Sequence, residues 1–398
     1  MPKLITDEKL IDNLLSRGVE NIYPNKEALK KLLMSGKKIK LYCGFDPTSP
    51  TLHIGNGIQI RKLAKFQELG HDVIFLYGDF TAMIGDPTDK TSARQPLTTE
   101  QIKKNLKGWK DQIKMIIDLN KVDFRFNSKW LGKMSFADLL KVSSDFTVQQ
   151  MMERDMFQER IKKEKPIFIH EFMYPLMQAY DSVVMDVDLE IGGNDQTFNM
   201  LAGRTLMRKT KNKEKMVLTT KLLEDPTGKK MGKSEGNMIT LVDSPEDLYG
   251  KVMSWPDTLM IVAFEILTDV DYKQKEKELA SGKNPRDLKM ELAYEVVKVY
   301  QGDTAAKKAQ DNFRRVFQEK EKPLEIPEIK LSESKMGVLD LFVKAGLASS
   351  NGEVRRLIRE GAILIDDQKV VDEKLVVSIP LGGLLLQRGK KMFVRVKC

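Results

Sequence analysis

The segment Lys38–Asn56, KIKLYCGFDPTSPTLHIGN, decides the reading of this chain. Lys38–Gly44 reads as a strand, and Asp46-Pro47-Thr48 turns out of it. Leu52–Leu69 then reads as a helix, because Ile60, Leu63, Phe66 and Leu69 recur every three residues and Gly70 is a stop signal. A strand that hands over to a helix at a His53-x-Gly55 step suits an anion, since helix N-termini carry unsatisfied N–H groups and partial positive charge. Gly55 lets a nucleotide approach the backbone. His53 can donate a hydrogen bond to a phosphate oxygen without the desolvation cost of a full charge. Taken alone, the string also fits an incidental helix start.

Outward from this segment the pattern repeats. Val73–Tyr77 (VIFLY) is an apolar run of buried-strand type. Thr98-Thr99-Glu100-Gln101 matches a capping box opening a helix. Further strands are expected near Val122–Phe126 and Val187–Ile191. Alternation of this kind predicts an α/β fold, a parallel sheet wrapped by helices. From about Ser244 to Phe317 the pattern is mainly helical. Lys320–Leu331 (KEKPLEIPEIKL) has two prolines, several charges and no period, and reads as a linker. The tail, Ser332–Cys398, predicts one helix through Leu339, Phe342 and Val343 and a second through Val354, Leu357 and Ile358. Gly361 stops the second, and strands follow at Ala362–Ile365 and Phe393–Val396.

Three further constellations carry chemistry. Lys229-Lys230-Met231-Gly232-Lys233-Ser234 lies in a Gly- and Lys-rich stretch expected to form a mobile loop, whose lysines can meet a polyphosphate as point charges. A solvated basic loop is the plainer alternative. Tyr174, Gln178 and Asp181 are spaced four and three apart, on one face of a helix that also contains Pro175. Their flanks, Phe172, Met173, Leu176, Met177, Val183 and Val184, are apolar, so this polar set is expected to face a buried pocket where a ligand can supply hydrogen-bond partners. Ile191-Gly192-Gly193-Asn194-Asp195-Gln196 is a strand end turning into a helix, the place where open parallel sheets bind ligands. An acid there can bind ribose hydroxyls, although the same residues also make a tight structural turn.

Composition narrows the classes. The 398 residues are 41% apolar and 31% charged, as in ordinary globular proteins of two or three domains. No apolar run is long enough to span a membrane, and MPKLITDEKL lacks a signal-peptide core. Two cysteines without a CxxC pair, and three histidines that do not cluster, support neither a disulfide framework nor a transition-metal site. A reducing cytoplasm is the expected location. The net charge of +9 suits a polyanionic partner. Nearly half of it lies in the tail, where twelve Lys/Arg stand against eight Asp/Glu.

In this order, these motifs resemble those of the bacterial tyrosyl-tRNA synthetases, which are class I aminoacyl-tRNA synthetases. HIGN resembles the family's HIGH signature, with Asn56 in place of the last histidine. KMGKS resembles its KMSKS loop, with Gly232 in place of serine. The YCGFDPT, QAYD and GGNDQ set narrows the likeness to tyrosine, and Ser349–Gly361 resembles a small S4-type RNA-binding domain. The resemblance covers nearly the whole chain. It implies a Rossmann-type catalytic domain over residues 1–243, with a dimer-interface insertion at about 120–165. A helical tRNA-binding domain would follow at 244–319, the linker at 320–331 and a small α+β S4-like domain at 332–398.

The resemblance also implies roles. Tyr42 and Asp181 would flank the substrate phenol. Thr81, Asp86, Tyr174 and Gln178 would hold its ammonium group, and Asn127 and Gln196 would reach the same amino acid. Gly44, Asp46, Thr48, His53, Gly55, Asn56, Gly193, Asp195, Met231 and Ser234 would surround ATP. Lys90, Arg94, Lys230 and Lys233 would meet the leaving pyrophosphate. The expected reaction joins the carboxylate of L-tyrosine to the α-phosphate of ATP, with Mg²⁺ arriving on the phosphates, and then transfers tyrosine to the terminal adenosine of tRNA(Tyr). The expected assembly is a homodimer. A tryptophanyl-type enzyme, a small nucleotidylyltransferase and a non-catalytic RNA-binding paralogue are the alternatives. The nucleotidylyltransferase would not need the S4-like tail, and the tryptophan enzyme would not need the Tyr42–Asp181 pair.

Overall fold

A computed structural model describes residues 4–86, 97–224, 238–316, 326–380, 382–389 and 392–398. Lys90, Arg94, Lys230, Met231, Lys233 and Ser234 lie outside the described residues. The chain divides into two compact units, Met1–Ala306 and Lys307–Cys398.

The first unit is built on six strands: β1 (Val19–Tyr23), β2 (Lys40–Phe45), β3 (Asp72–Tyr77), β4 (Val122–Phe126), β5 (Leu189–Gly193) and β6 (Met216–Thr220). They run in the order β1-β6-β5-β2-β3-β4. The inner pairings are parallel, and only β1 lies antiparallel, at the edge beside β6. The chain leaves β2 toward β3 and β4 on one side, while β5 and β6 fill the other. The β2–β5 boundary is therefore the switch point, and ligands bind beyond the carboxyl ends of strands there.

The sequence explains why the sheet forms here. β2 and β3 are buried on both faces, so Leu41, Tyr42, Val73, Ile74, Phe75 and Leu76 are almost wholly enclosed. The helix after β2 spans Ile54–Glu68 and buries Ile60, Leu63 and Phe66 completely. Gly70, at φ +94°, ends it in a left-handed conformation. The predicted capping box forms, with Thr98 and Gln101 closing the start of the Thr99–Leu106 helix. The fifth strand lies two residues later than the apolar run suggested, because Gly192 and Gly193 continue its ladder with β6. Helices Pro245–Met253, Met260–Leu267, Tyr272–Ala280 and Pro285–Gln301 form the helical region expected after residue 244. They belong to the same compact unit as the sheet. Among the described residues no helix is long and apolar enough to cross a membrane.

The second unit has helices Val338–Lys344 and Asn351–Arg359 and a five-stranded sheet in which Met392–Lys397 pairs with Leu384–Arg388. Val338, Leu341, Phe342, Val354, Ile363, Leu386 and Val396 are fully buried in its core. Of the segment expected to be a linker, residues 320–325 lie outside the described residues. Glu328–Lys330 adds to this sheet as an edge strand parallel to Met392–Lys397, and Ile329 packs on the core while its charged neighbours stay outside. A three-residue strand bounded by prolines and charges gives too short a periodic signal to see in sequence.

Candidate active site

His53 is the N-cap of the Ile54–Glu68 helix, and its imidazole stands in for the usual capping oxygen. Nδ1 accepts the Asn56 backbone N–H at 3.3 Å, and the Asn56 side chain accepts the His53 N–H at 3.0 Å. This reciprocal box explains Asn56, the position where the HIGN string departs from its family pattern. Gly55 is required because a Cβ there would stand 2.8 Å from His53 Nδ1. Since Nδ1 accepts, the proton of the neutral ring sits on Nε2, ready to donate. His53 keeps solvent access, yet crowding by the surrounding groups lowers its pKa and favours that neutral form.

The same turn is fastened to a distant segment. Ile54 N–H donates to Ile239 at 2.9 Å and Leu241 N–H donates to Leu52 at 2.9 Å, around a bridge between His53 and Thr240. Residues 238–241 follow the lysine-rich stretch directly, and Leu223, just before that stretch, lines the same cavity as His53.

That cavity, about 320 Å³, opens at the carboxyl ends of β2 and β5. Every described candidate lines it. Tyr42, Gly44, Asp46 and Thr48 come from β2 and its turn, and His53, Gly55 and Asn56 from the helix start. Thr81, Asp86 and Asn127 follow β3 and β4. Tyr174, Gln178 and Asp181 come from the Ile169–Met185 helix, and Gly193, Asp195 and Gln196 from the β5 turn.

Two polar clusters organise it. In the first, Asp46 accepts from Thr81 Oγ1 at 2.7 Å and from the Tyr174 hydroxyl at 2.8 Å, while Gln196 donates to Asp86 at 2.6 Å. Gly78 makes the Asp46–Thr81 contact possible, because a Cβ there would fall 2.0 Å from Asp46 Oδ1. In the second, Asp181 is buried and accepts from Trp130 Nε1 and Asn127 Nδ2. Burial raises its pKa well above the usual carboxylate range, and the two donors pull it back. Burial, then the charges of Glu190 and Asp181, also hold the Tyr42 phenol well above its ordinary value, so Tyr42 remains protonated. Its hydroxyl lies 2.9 Å from Ser182 Oγ, one residue past Asp181.

Reading the sequence missed Trp130, Ser182, Glu190 and Lys215. Trp130 follows β4 by a few residues, Glu190 is a charge between Leu189 and Ile191, Ser182 stands beside Asp181, and Lys215 ends the polar run KNKEK, where nothing sets it apart from its charged neighbours. Only the isolated charge of Glu190 beside the Gly192-Gly193 turn hinted at its place.

A parallel sheet with a His-x-Gly helix start at its switch point, facing a Gly-Gly-x-Asp turn, is the arrangement that the resemblance to the class I aminoacyl-tRNA synthetases implies. Residues 34–318 match the family model described as tRNA synthetases class I (W and Y), and residues 319–396 match the tyrosine–tRNA ligase SYY-like C-terminal domain. The chain belongs to this family, among its tyrosine–tRNA ligases. It is 43% identical to the tyrosine–tRNA ligase of Thermotoga maritima over 96% of each chain. It is also 43% identical to that of Moorella thermoacetica, over 96% of this chain and 94% of the relative. The fold matches a C-terminally truncated mitochondrial tyrosyl-tRNA synthetase of Aspergillus nidulans, at TM-score 0.64 and 22% identity, over 77% of this chain and 94% of that one. It also matches the Archaeoglobus fulgidus tyrosyl-tRNA synthetase complexed with L-tyrosine, at TM-score 0.61 and 22% identity, over 76% and 100%.

Proposed function

We propose that the cavity takes L-tyrosine and ATP together, joins them as tyrosyl-adenylate, and passes tyrosine to tRNA(Tyr). The observation that carries this reading is the convergence of the His53 turn, the Asp195 turn and the Tyr174–Asp181 helix face on one cavity. Pyrophosphate exchange into ATP, driven by each amino acid in turn, tests it. Tyrosine-dependent exchange is expected, and exchange driven by tryptophan but not tyrosine overturns it.

In this reading the phenol end lies at Asp181, Tyr42 and Asn127, where a buried carboxylate with two fixed donors has lone pairs left for a substrate hydroxyl. The ammonium group meets the polar cluster of Asp86, Tyr174, Gln178, Thr81 and Gln196. ATP lies across the sheet end, with its phosphates at Thr48 and His53 and its ribose by Asp195, near Gly44, Asp46, Gly55, Asn56 and Gly193. The tyrosine carboxylate attacks the α-phosphorus in line, the bond to pyrophosphate breaks, and no general base is required because the nucleophile is already ionised. Catalysis is positioning plus charge stabilisation. Lys90, Arg94, Lys230 and Lys233 are assigned to the pyrophosphate, and Met231 and Ser234 to the nucleotide, by resemblance. Leu222 and Leu223, before the second stretch, line the cavity, and Ile239 and Leu241, after it, are tied to the His53 turn. Mg²⁺ enters as the counter-ion of ATP. Among the described residues no cluster of His, Cys, Asp or Glu could hold a metal, and this ion commonly rides on substrate phosphates.

The C-terminal unit supports an RNA contact. Its Asn351–Arg359 helix buries Val354, Leu357 and Ile358 and exposes Arg355, Arg356 and Arg359. Homodimer formation is supported by large apolar side chains left exposed at Phe136, Leu140, Val148, Phe168 and Ile169. Sedimentation analysis showing a monomer would remove that assignment. The free thiols of Cys43 and Cys398 suit a reducing cytoplasm.

A further inference from the structure

Behind the amino-acid side of the cavity lies an ion pair that none of the roles above uses. Lys215, wholly buried just before β6, donates to Glu190 on β5, which is 1% exposed. Lys215 also donates to Ser182 Oγ at 3.0 Å, and Ser182 meets Tyr42. The other Glu190 oxygen accepts from Gln178 Nε2 at 2.9 Å. Glu190 itself lines the cavity.

We propose that the Lys215–Glu190 pair is a positioning device for tyrosine recognition: it fixes the side-chain amide of Gln178 with its oxygen toward the cavity. The argument is one of donors and acceptors. An ionised carboxylate can only accept, so the Gln178 atom against Glu190 is the nitrogen. The carbonyl oxygen of Gln178 is thereby left for the cavity side, where an ammonium group needs an acceptor. An ammonium such as Lys215 can only donate, so it pins the carboxylate that imposes this choice. Lys215 also offsets a negative charge on a wall already carrying Asp46, Asp86, Asp181 and Asp195. Removing the partner of a buried charge is costly, whereas replacing both with neutral groups often is not.

This inference rests on the tyrosine-activating reading. If wild-type protein shows no tyrosine-dependent exchange, that reading fails before any variant is compared. Given an active wild type, Glu190→Gln and the double variant Glu190→Gln/Lys215→Met separate the possibilities. In E190Q, Lys215 holds the new amide oxygen, so its NH₂ faces Gln178 and turns the Gln178 amide round, presenting N–H to an ammonium. In the double variant the introduced amide is free to turn back and accept. The expected result is a KM for tyrosine raised about 10- to 100-fold in E190Q, the range of a hydrogen bond to a charged group, and less in the double variant. KM for ATP, and kcat per titrated active site, should change far less. A purely structural pair would lower the folded fraction without splitting KM from kcat in this way. Thermal unfolding identifies the folded variants, and either one is sufficient for the test. An unchanged tyrosine KM in folded E190Q, or a folded double variant whose tyrosine KM rises as much as or more than the range expected for E190Q, overturns the proposal.

Discussion

The indole N–H of Trp130 donates to Oδ1 of Asp181 at 2.7 Å, and Asn127 holds Oδ2 at 3.2 Å. The carboxylate is thus clamped in one orientation before any substrate arrives. Asp181→Asn places an N–H against one of these donors and removes the charge. Tyrosine affinity should fall by about 1.5–3 kcal/mol, the worth of a hydrogen bond to a charged group, with ATP affinity unchanged. Equilibrium dialysis with both ligands checks this, and unchanged tyrosine affinity removes Asp181 from the pocket.

Trp130 should matter through Asp181. Trp130→Phe keeps an aromatic ring against the buried cluster that includes Tyr42 and Met185 but deletes the donor. A loss of about 1–3 kcal/mol in tyrosine binding is expected from an under-satisfied buried acceptor. Equal tyrosine KM for the variant and wild type would make the indole a packing residue only.

The helix cap that His53 makes and its proposed contact to phosphate can be separated. His53→Ala loses the helix cap, at about 1 kcal/mol of stability, and the proposed phosphate donor. His53→Asn retains a capping side chain and loses the reach of Nε2. Both should slow adenylate formation by roughly 100-fold, as removal of a preorganised donor does, while only the alanine variant unfolds earlier in urea. Stopped-flow rates that match wild type in the asparagine variant would confine His53 to capping.

A pH effect on stability should come from His71, far from these motifs. Its ring is buried, Nδ1 lies 3.4 Å from the Ile39 N–H, and burial pushes its pKa down to about 4. Between pH 6.5 and 4 the unfolded chain binds a proton that the folded chain refuses. Stability is therefore full above pH 6.5 and is lost as the pH falls toward 4, by about 2 kcal/mol after allowing for residual solvent access. Urea titrations at pH 7.5 and 5 should show the loss in wild type and a smaller one in His71→Phe. Parallel losses in the two proteins would assign the effect elsewhere.

A chain ending near Pro327 lacks most of the second unit and should still form tyrosyl-adenylate. It should load tRNA poorly, and it should lose part of the salt dependence that basic contacts to phosphate bring. Equal charging by the cut and full-length proteins at matched salt would contradict this.

What could be read in the sequence was periodic or punctuated. The Ile60–Leu69 spacing, the VIFLY run, the Thr98–Gln101 box and the two tail helices all reappear, since each repeats a signal over several residues or fixes a turn by a special residue. The Tyr174–Gln178–Asp181 face emerged because a helix converts spacing into direction. β1 was hidden because VENIY is a polar edge strand held by a partner far away in sequence. The second layer of the pocket was hidden for a similar reason. Nothing near Lys215 announces Glu190, and nothing near Trp130 announces Asp181. Gly78, one glycine among 26, is explained only once Asp46 is seen beside it.

The backbone ladder between Leu52–Ile54 and Ile239–Leu241 has a consequence for biosynthesis. The His53 turn is translated early, but the strand-like segment that ties it down is made only after the whole sheet of the first unit. Contacts this distant in sequence carry the loop-closure cost of everything between them, so they form late. On the ribosome, the nascent chain therefore carries an unfastened His53 turn until residue 241 has cleared the exit tunnel.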